Sequence, residues 1–165
     1  PDPATVTAAP KGKTFVMFSD DLDRALATFV MANGAAATGQ HVTIFFTFWG
    51  LNVIKKERKP RVAKDLMGRM FGWMMPSSSR TLPLSKMNML GLGWRMMRQR
   101  MKDKRVDSLE AMRSEALRQG VEFIACQMSM DVMGVGREEL LDEVTLGGVA
   151  TYMERADKAN VNLFI

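Results

Sequence analysis

Residues 14–47 constrain the fold more than any other stretch. Thr14-Phe15-Val16-Met17-Phe18 is a continuous apolar run, as expected of a strand buried on both faces. Ser19 and Asp20 read as an N-cap, with Asp21 and Asp23 complementing the dipole of the helix that follows. Leu22, Leu26, Phe29, Val30, Asn33 and Ala37 recur near helical spacing, and Gly39 stops the helix. Residues 41–47 are rich in β-branched and aromatic side chains and form a second buried strand. Strand, helix and strand in so short a span make a βαβ unit, which calls for a parallel sheet with a right-handed crossover. His41 stands at the strand end opposite to where ligands bind in such sheets, so its role is structural.

The rest of the chain repeats the alternation. Residues 1–13, with three prolines, read as a flexible lead-in, and residues 14–165 as one α/β domain. Asp107 and Glu110 resemble a capping box opening a helix through Leu109, Met112, Ala116 and Leu117, which Gly120 ends. Residues 121–125 are a strand, residues 128–133 a short helix broken by Gly134 and Gly136, and residues 137–141 a further helical piece. A short strand is expected at residues 144–146. Gly147-Gly148 opens a helix with Val149, Tyr152, Met153 and Ala156 on one face, and residues 161–165 close the chain as a strand.

The exception is the middle. Residues 55–105 hold fifteen Lys or Arg against three acids, a local net charge of +12, so the remainder carries −7 of the overall +5. The same stretch holds nine of the sixteen methionines. Val62, Leu66, Met70 and Trp73 or Met74 fit one amphipathic helix. After Pro76-Ser77-Ser78-Ser79, the residues Met87, Leu90, Trp94, Met97 and Met101 follow a second helical seam, weakened by Gly91 and Gly93. Three roles suit such a segment: contact with an anionic membrane surface, docking of a partner on an adaptable Met face, or cover for its own core or a sister subunit. Nucleic acid is not expected, because the charge comes with no recognition motif.

Several chemistries lack their residues. There is no GxxxxGK[ST], no GxGxxG after a strand and no GxSxG elbow. One cysteine excludes an internal disulfide, a CxxC pair and a cysteine-based zinc site, and one histidine leaves no cluster for a metal; no cofactor is expected. No run reads as a signal peptide or spans a bilayer, and the expected compartment is the reducing cytoplasm. The carboxylates are most simply helix caps and solvated faces, with Asp20 set apart by its place at a strand end.

Cys126 is then the reactive group. It ends the strand that contains Phe123, Ile124 and Ala125 and leads into Gln127-Met128-Ser129-Met130, where backbone N–H groups favour a thiolate or persulfide. The alternative is a buried thiol acting as a small hydrophobe in a noncatalytic interaction module. A thiol without a general-base histidine suits sulfur exchange better than acyl transfer. Ser19, Asp20, Thr47, Trp49, Gln127, Met128 and Ser129 share its sheet edge and are the candidate pocket residues. Trp49 is a candidate cap over the thiol, or packing at the start of a helix.

Three stretches resemble the DsrE/DsrF-like family: Phe18-Ser19-Asp20-Asp21-Leu22-Asp23-Arg24-Ala25, Val42-Thr43-Ile44-Phe45-Phe46-Thr47-Phe48-Trp49-Gly50, and Ala125-Cys126-Gln127-Met128-Ser129-Met130-Asp131-Val132-Met133-Gly134. The last is the most specific, and the likeness is closest to the family's Met-rich branch, which carries a peroxiredoxin label. The resemblance implies a five-stranded, mainly parallel sheet flanked by helices, while the Met-rich basic helical insertion at residues 55–105 departs from the family's small soluble members. It also implies homo- or hetero-oligomers and a sulfur relay in which Cys126 carries persulfide or thiosulfonate to or from a TusA-type carrier protein.

Overall fold

The computed structural model describes residues 11–58, 63–87 and 89–165. Its centre is a five-stranded sheet built from β1 (Gly12–Met17), β2 (Val42–Phe46), β3 (Glu122–Cys126), β4 (Thr145–Gly147) and β5 (Ala159–Phe164), in the order β4-β3-β2-β1-β5. Every pairing is parallel, as the βαβ reading required. Most of the expected lead-in lies outside the described residues, and the first strand already begins at Gly12.

Alternation along the strands assigns the two faces. Phe15 and Met17, Ile44 and Phe46, and Phe123 and Ala125 enter the main core, where α1 (Leu22–Ala37) and α4 (Leu109–Arg118) pack together over the sheet. Phe29, Phe46 and Phe123 meet there with ring centroids 5.3–5.8 Å apart. Val16, Phe45, Ile124 and Cys126 point the other way, into a smaller cluster completed by Tyr152. Tyr152 belongs to α6 (Val149–Asp157), which contacts β1, β4 and β5 and has no fully buried side chain of its own. The sheet thus has a thick side and a thin side. The only cysteine lies on the thin one.

Helix starts differ from expectation by a residue or two. The α1 N-cap is Asp21, while the Ser19 hydroxyl donates to the Asp21 carboxylate over 2.8 Å and accepts the Asp21 N–H. Asp20 turns away to accept the Asn52 amide N–H at 2.9 Å. The N-cap of α4 is Ser108, which accepts the Ala111 N–H, not Asp107. Within residues 55–105 lie α2 (Leu66–Met74) and α3 (Leu92–Asp103). Val62 falls outside the described residues. The second seam begins later than Met87: Met87, Met89 and Leu90 have φ of 59°, 37° and 56°, and Gly91 follows at 88°, so the helix forms only beyond them. Side chains in left-handed conformation cannot propagate a right-handed helix.

Arg98 anchors α3. Its guanidinium donates to both Glu110 carboxylate oxygens, at 2.9 and 3.2 Å, and to the Ser79 carbonyl at 3.0 Å. Burial pushes the Glu110 carboxyl up, but the Arg98 bonds outweigh it and hold the pKa below the ordinary 4.5. A depressed carboxylate contributes stability that is present above its unfolded value and fades as pH falls through the folded one. Arg98→Met is therefore expected to cost about 2 kcal/mol at neutral pH. At acid pH, as Glu110 takes up its proton, the gap between variant and wild type should narrow to what the lost Ser79 bond contributes. Urea melts at the two pH values check both statements.

Candidate functional site at the end of the third strand

Cys126 is the last residue of β3 and the N-cap of α5 (Gln127–Met133), with extended backbone angles of −71° and 113°. Its register partner is Gly147, the last residue of β4, and Gly148 is the N-cap of α6. The cysteine therefore stands where two helices begin, each presenting backbone N–H groups not used within its own helix. Such groups favour nearby negative charge, and the Cys126 side chain makes no cap hydrogen bond with them in α5. Gly147 is needed because a Cβ there would lie 2.8 Å from the Ile124 side chain and 3.3 Å from Thr151. Cys126 is only 1% exposed and shares a buried cluster with Val16, Phe45 and Ile124, against which Tyr152 packs.

The other candidate residues separate into two groups. Thr47, just beyond β2, and Ser129, in the first turn of α5, are both buried and share a 2.8 Å hydroxyl–hydroxyl hydrogen bond. That bond ties the helix start beside Cys126 to the neighbouring strand. Gln127 and Met128 are exposed on the outer side of the same turn.

Asp20 and Trp49 belong elsewhere. With Trp73 and Met75 they line an open cleft of about 690 Å³ between the sheet edge and α2, and Cys126 is not among the residues lining it. Trp49 opens onto this cleft. Phe48–Ile54 is a 3-10 helix that brings Asn52, fully buried, against Asp20. Burial pushes the Asp20 carboxyl above its ordinary value, and the Asn52 hydrogen bond only partly offsets this. A raised acid destabilises the fold above its folded pKa, and that penalty disappears as pH falls towards the unfolded value. Asp20→Asn is thus expected to raise the melting temperature at pH 7 and to remove the gain that wild type shows on mild acidification. Thermal melts between pH 4 and 7 provide the check.

Sequence reasoning missed two contributors. Tyr152 was legible as a helix-face residue but not as packing against the Cys126 cluster, because the crossing of α6 over the sheet is set by long-range topology. Asn52 carried no signal beyond its place after a strand. Among the described residues no helix is long and apolar enough to cross a membrane, and no group of three or more His, Cys, Asp or Glu could hold a metal ion.

Comparison with known proteins gives this geometry a family. The chain is 44% identical over 160 residues to the uncharacterized protein YrkE of Bacillus subtilis (strain 168), covering 97% of this chain and all of that one. It is 36% identical over 148 residues to the sulfur carrier protein DsrE2 of Allochromatium vinosum, covering 87% and 91% of the two chains. Among solved structures, the ychN protein from E. coli superposes with a TM-score of 0.59 at 11% identity, over 94% of this chain and 99% of that one. Protein MTH1491 from Methanobacterium thermoautotrophicum gives 0.56 at 15%, with the same coverage. These two likenesses concern the fold alone. The family model described as DsrE/DsrF/DrsH-like matches residues 10–164, and the chain belongs to that family.

Proposed function

We propose that the protein is a sulfurtransferase or sulfur carrier that accepts sulfane sulfur or thiosulfonate on Cys126. It would relay this group to or from a TusA-type carrier protein in cytoplasmic sulfur metabolism, working as a homo-oligomer. The observation that carries the reading is the position of Cys126, at a strand end against the starts of α5 and α6. The relationship to a protein named as a sulfur carrier supports it.

The exchange step needs no outside oxidant. The Cys126 thiolate attacks the outer sulfur of a donor persulfide, and a new S–S bond forms on Cys126. The donor's own S–S bond breaks, and its electron pair leaves on the donor thiolate. Delivery repeats the step with Cys126 as leaving group. Because Cys126 is buried, access requires a local opening, and on this side of the sheet α6 has no fully buried side chain of its own. The exposed Phe164, Val149, Met153 and Met128 around this thin side are consistent with a sister subunit covering it.

Transfer to a carrier tests the relay. Persulfide-loaded protein mixed with a TusA-type carrier should pass label to the carrier's cysteine, at a rate that falls as salt screens the basic 55–105 stretch. A rate independent of salt would remove that stretch from partner recognition. No transfer at all would overturn the relay.

The second reading, a noncatalytic interaction module with a structural cysteine, is favoured by the 1% exposure of Cys126. It requires that the thiol of the folded protein resist both sulfur donors and alkylating agents.

A further inference from the structure

The basic, Met-rich segment contains a groove that the sulfur reading does not use. It is an open groove of about 490 Å³, bordered by the exposed side chains of Met87, Met89, Met96 and Met97, with Lys86 and Arg100. Gly93, Met96, Met97 and Arg100 recur at steps of three, one and three, which places them on one stripe of α3. Gly93 is buried and leaves the floor without a side chain. The opposite wall is the segment in which Met87 and Met89 hold positive φ, a conformation that side chains rarely adopt without compensation. Asp23, which also borders the groove, accepts hydrogen bonds from both the backbone N–H and the hydroxyl of Ser85. Among the described residues, neither Lys86 nor Arg100 has a side-chain ion pair or hydrogen bond.

We propose that this groove binds a free single-chain amphiphilic anion, a long-chain carboxylate in chemical class. Its apolar chain would lie among the four methionines and its charged head would be held by Lys86 and Arg100. The volume lies in the range of small-molecule sites, about 300–1,000 Å³, whose walls are apolar with a few polar groups fixing the head. A partner helix fits less well, since one about 10 Å across fills roughly 400 Å³ with each turn and would be held by little more than one turn. The surrounding +12 charge disfavours a cationic occupant, including a soft metal ion on the thioethers. Unbranched, polarisable methionine side chains adapt to a flexible chain better than branched ones do.

The experiment is a fluorescence titration of the full chain with cis-parinaric acid below its aggregation threshold. Oleate, oleyl alcohol and phosphatidylglycerol vesicles are the competitors, and Arg100→Glu and Met96→Glu are the variants. Both positions are exposed, so circular dichroism should show each variant folded. The expected result is saturable one-to-one binding, displaced by oleate and about tenfold less well by oleyl alcohol. Arg100→Glu should weaken binding by about tenfold through charge reversal, and Met96→Glu by a similar factor through a carboxylate placed against the chain. No saturable binding, or binding equal in wild type and both variants, would overturn the proposal. So would binding competed only by vesicles, which would instead make this face a membrane-contact surface.

Discussion

Gly50→Ala is expected to destabilise the fold by about 3 kcal/mol or more, lowering the melting temperature by about 10 °C. A Cβ at Gly50 would lie 1.9 Å from the Met17 carbonyl oxygen and 2.7 Å from its carbon. Both atoms are backbone, so no rotamer change relieves the clash. Gly50 is also where the 3-10 helix crosses the end of β1, its N–H donating to the Phe18 carbonyl at 2.8 Å and lying 3.0 Å from that of Thr47. Moving it apart strains the joint between β1 and β2, the two strands that lead into Ser19, Asp20 and Thr47. Thermal and urea denaturation of the variant measure the effect, and a melting temperature within a degree or two of wild type would contradict this packing.

Cys126→Ala is expected to abolish sulfur loading altogether while leaving the protein folded. The substitution removes one sulfur atom from a cluster of Val16, Phe45, Ile124 and Tyr152 and leaves a small void, at a cost of about 1 kcal/mol. Sulfane sulfur retained after donor removal should fall to background, and the melting transition should stay cooperative. Full loading of a folded variant would place the sulfur elsewhere and end the present reading of the site.

How much of this was legible in the sequence differs from element to element. The three central strands could be read because their apolar runs are continuous, which in a parallel sheet reports burial on both faces. The helix starts were read to within one or two residues: at Ser19-Asp20-Asp21 and at Asp107-Ser108 several neighbours can cap, and side-chain hydrogen bonds decide among them. The start of α3 was misplaced because heptad-like spacing from Met87 to Met101 persists across a left-handed turn that spacing cannot register. The site was half legible. Cys126 and its place between strand and helix follow from local sequence. The partition of its neighbours does not, because which face of the sheet each serves depends on how α2 and α6 return over it. Trp49 shares an edge with the thiol yet opens onto the Asp20 cleft. Tyr152 is 26 residues away from Cys126 along the chain and packs against the same cluster.

The most direct test of Cys126 as a sulfur carrier is intact mass spectrometry of the wild-type protein after brief exposure to a persulfide, polysulfide or thiosulfate donor. The expected result is a mass gain of one or more sulfur atoms that maps to Cys126 and is removed by reductant. A folded protein that gains no mass from any of these donors, and whose thiol also resists alkylation, would show Cys126 to be packing and contradict the account.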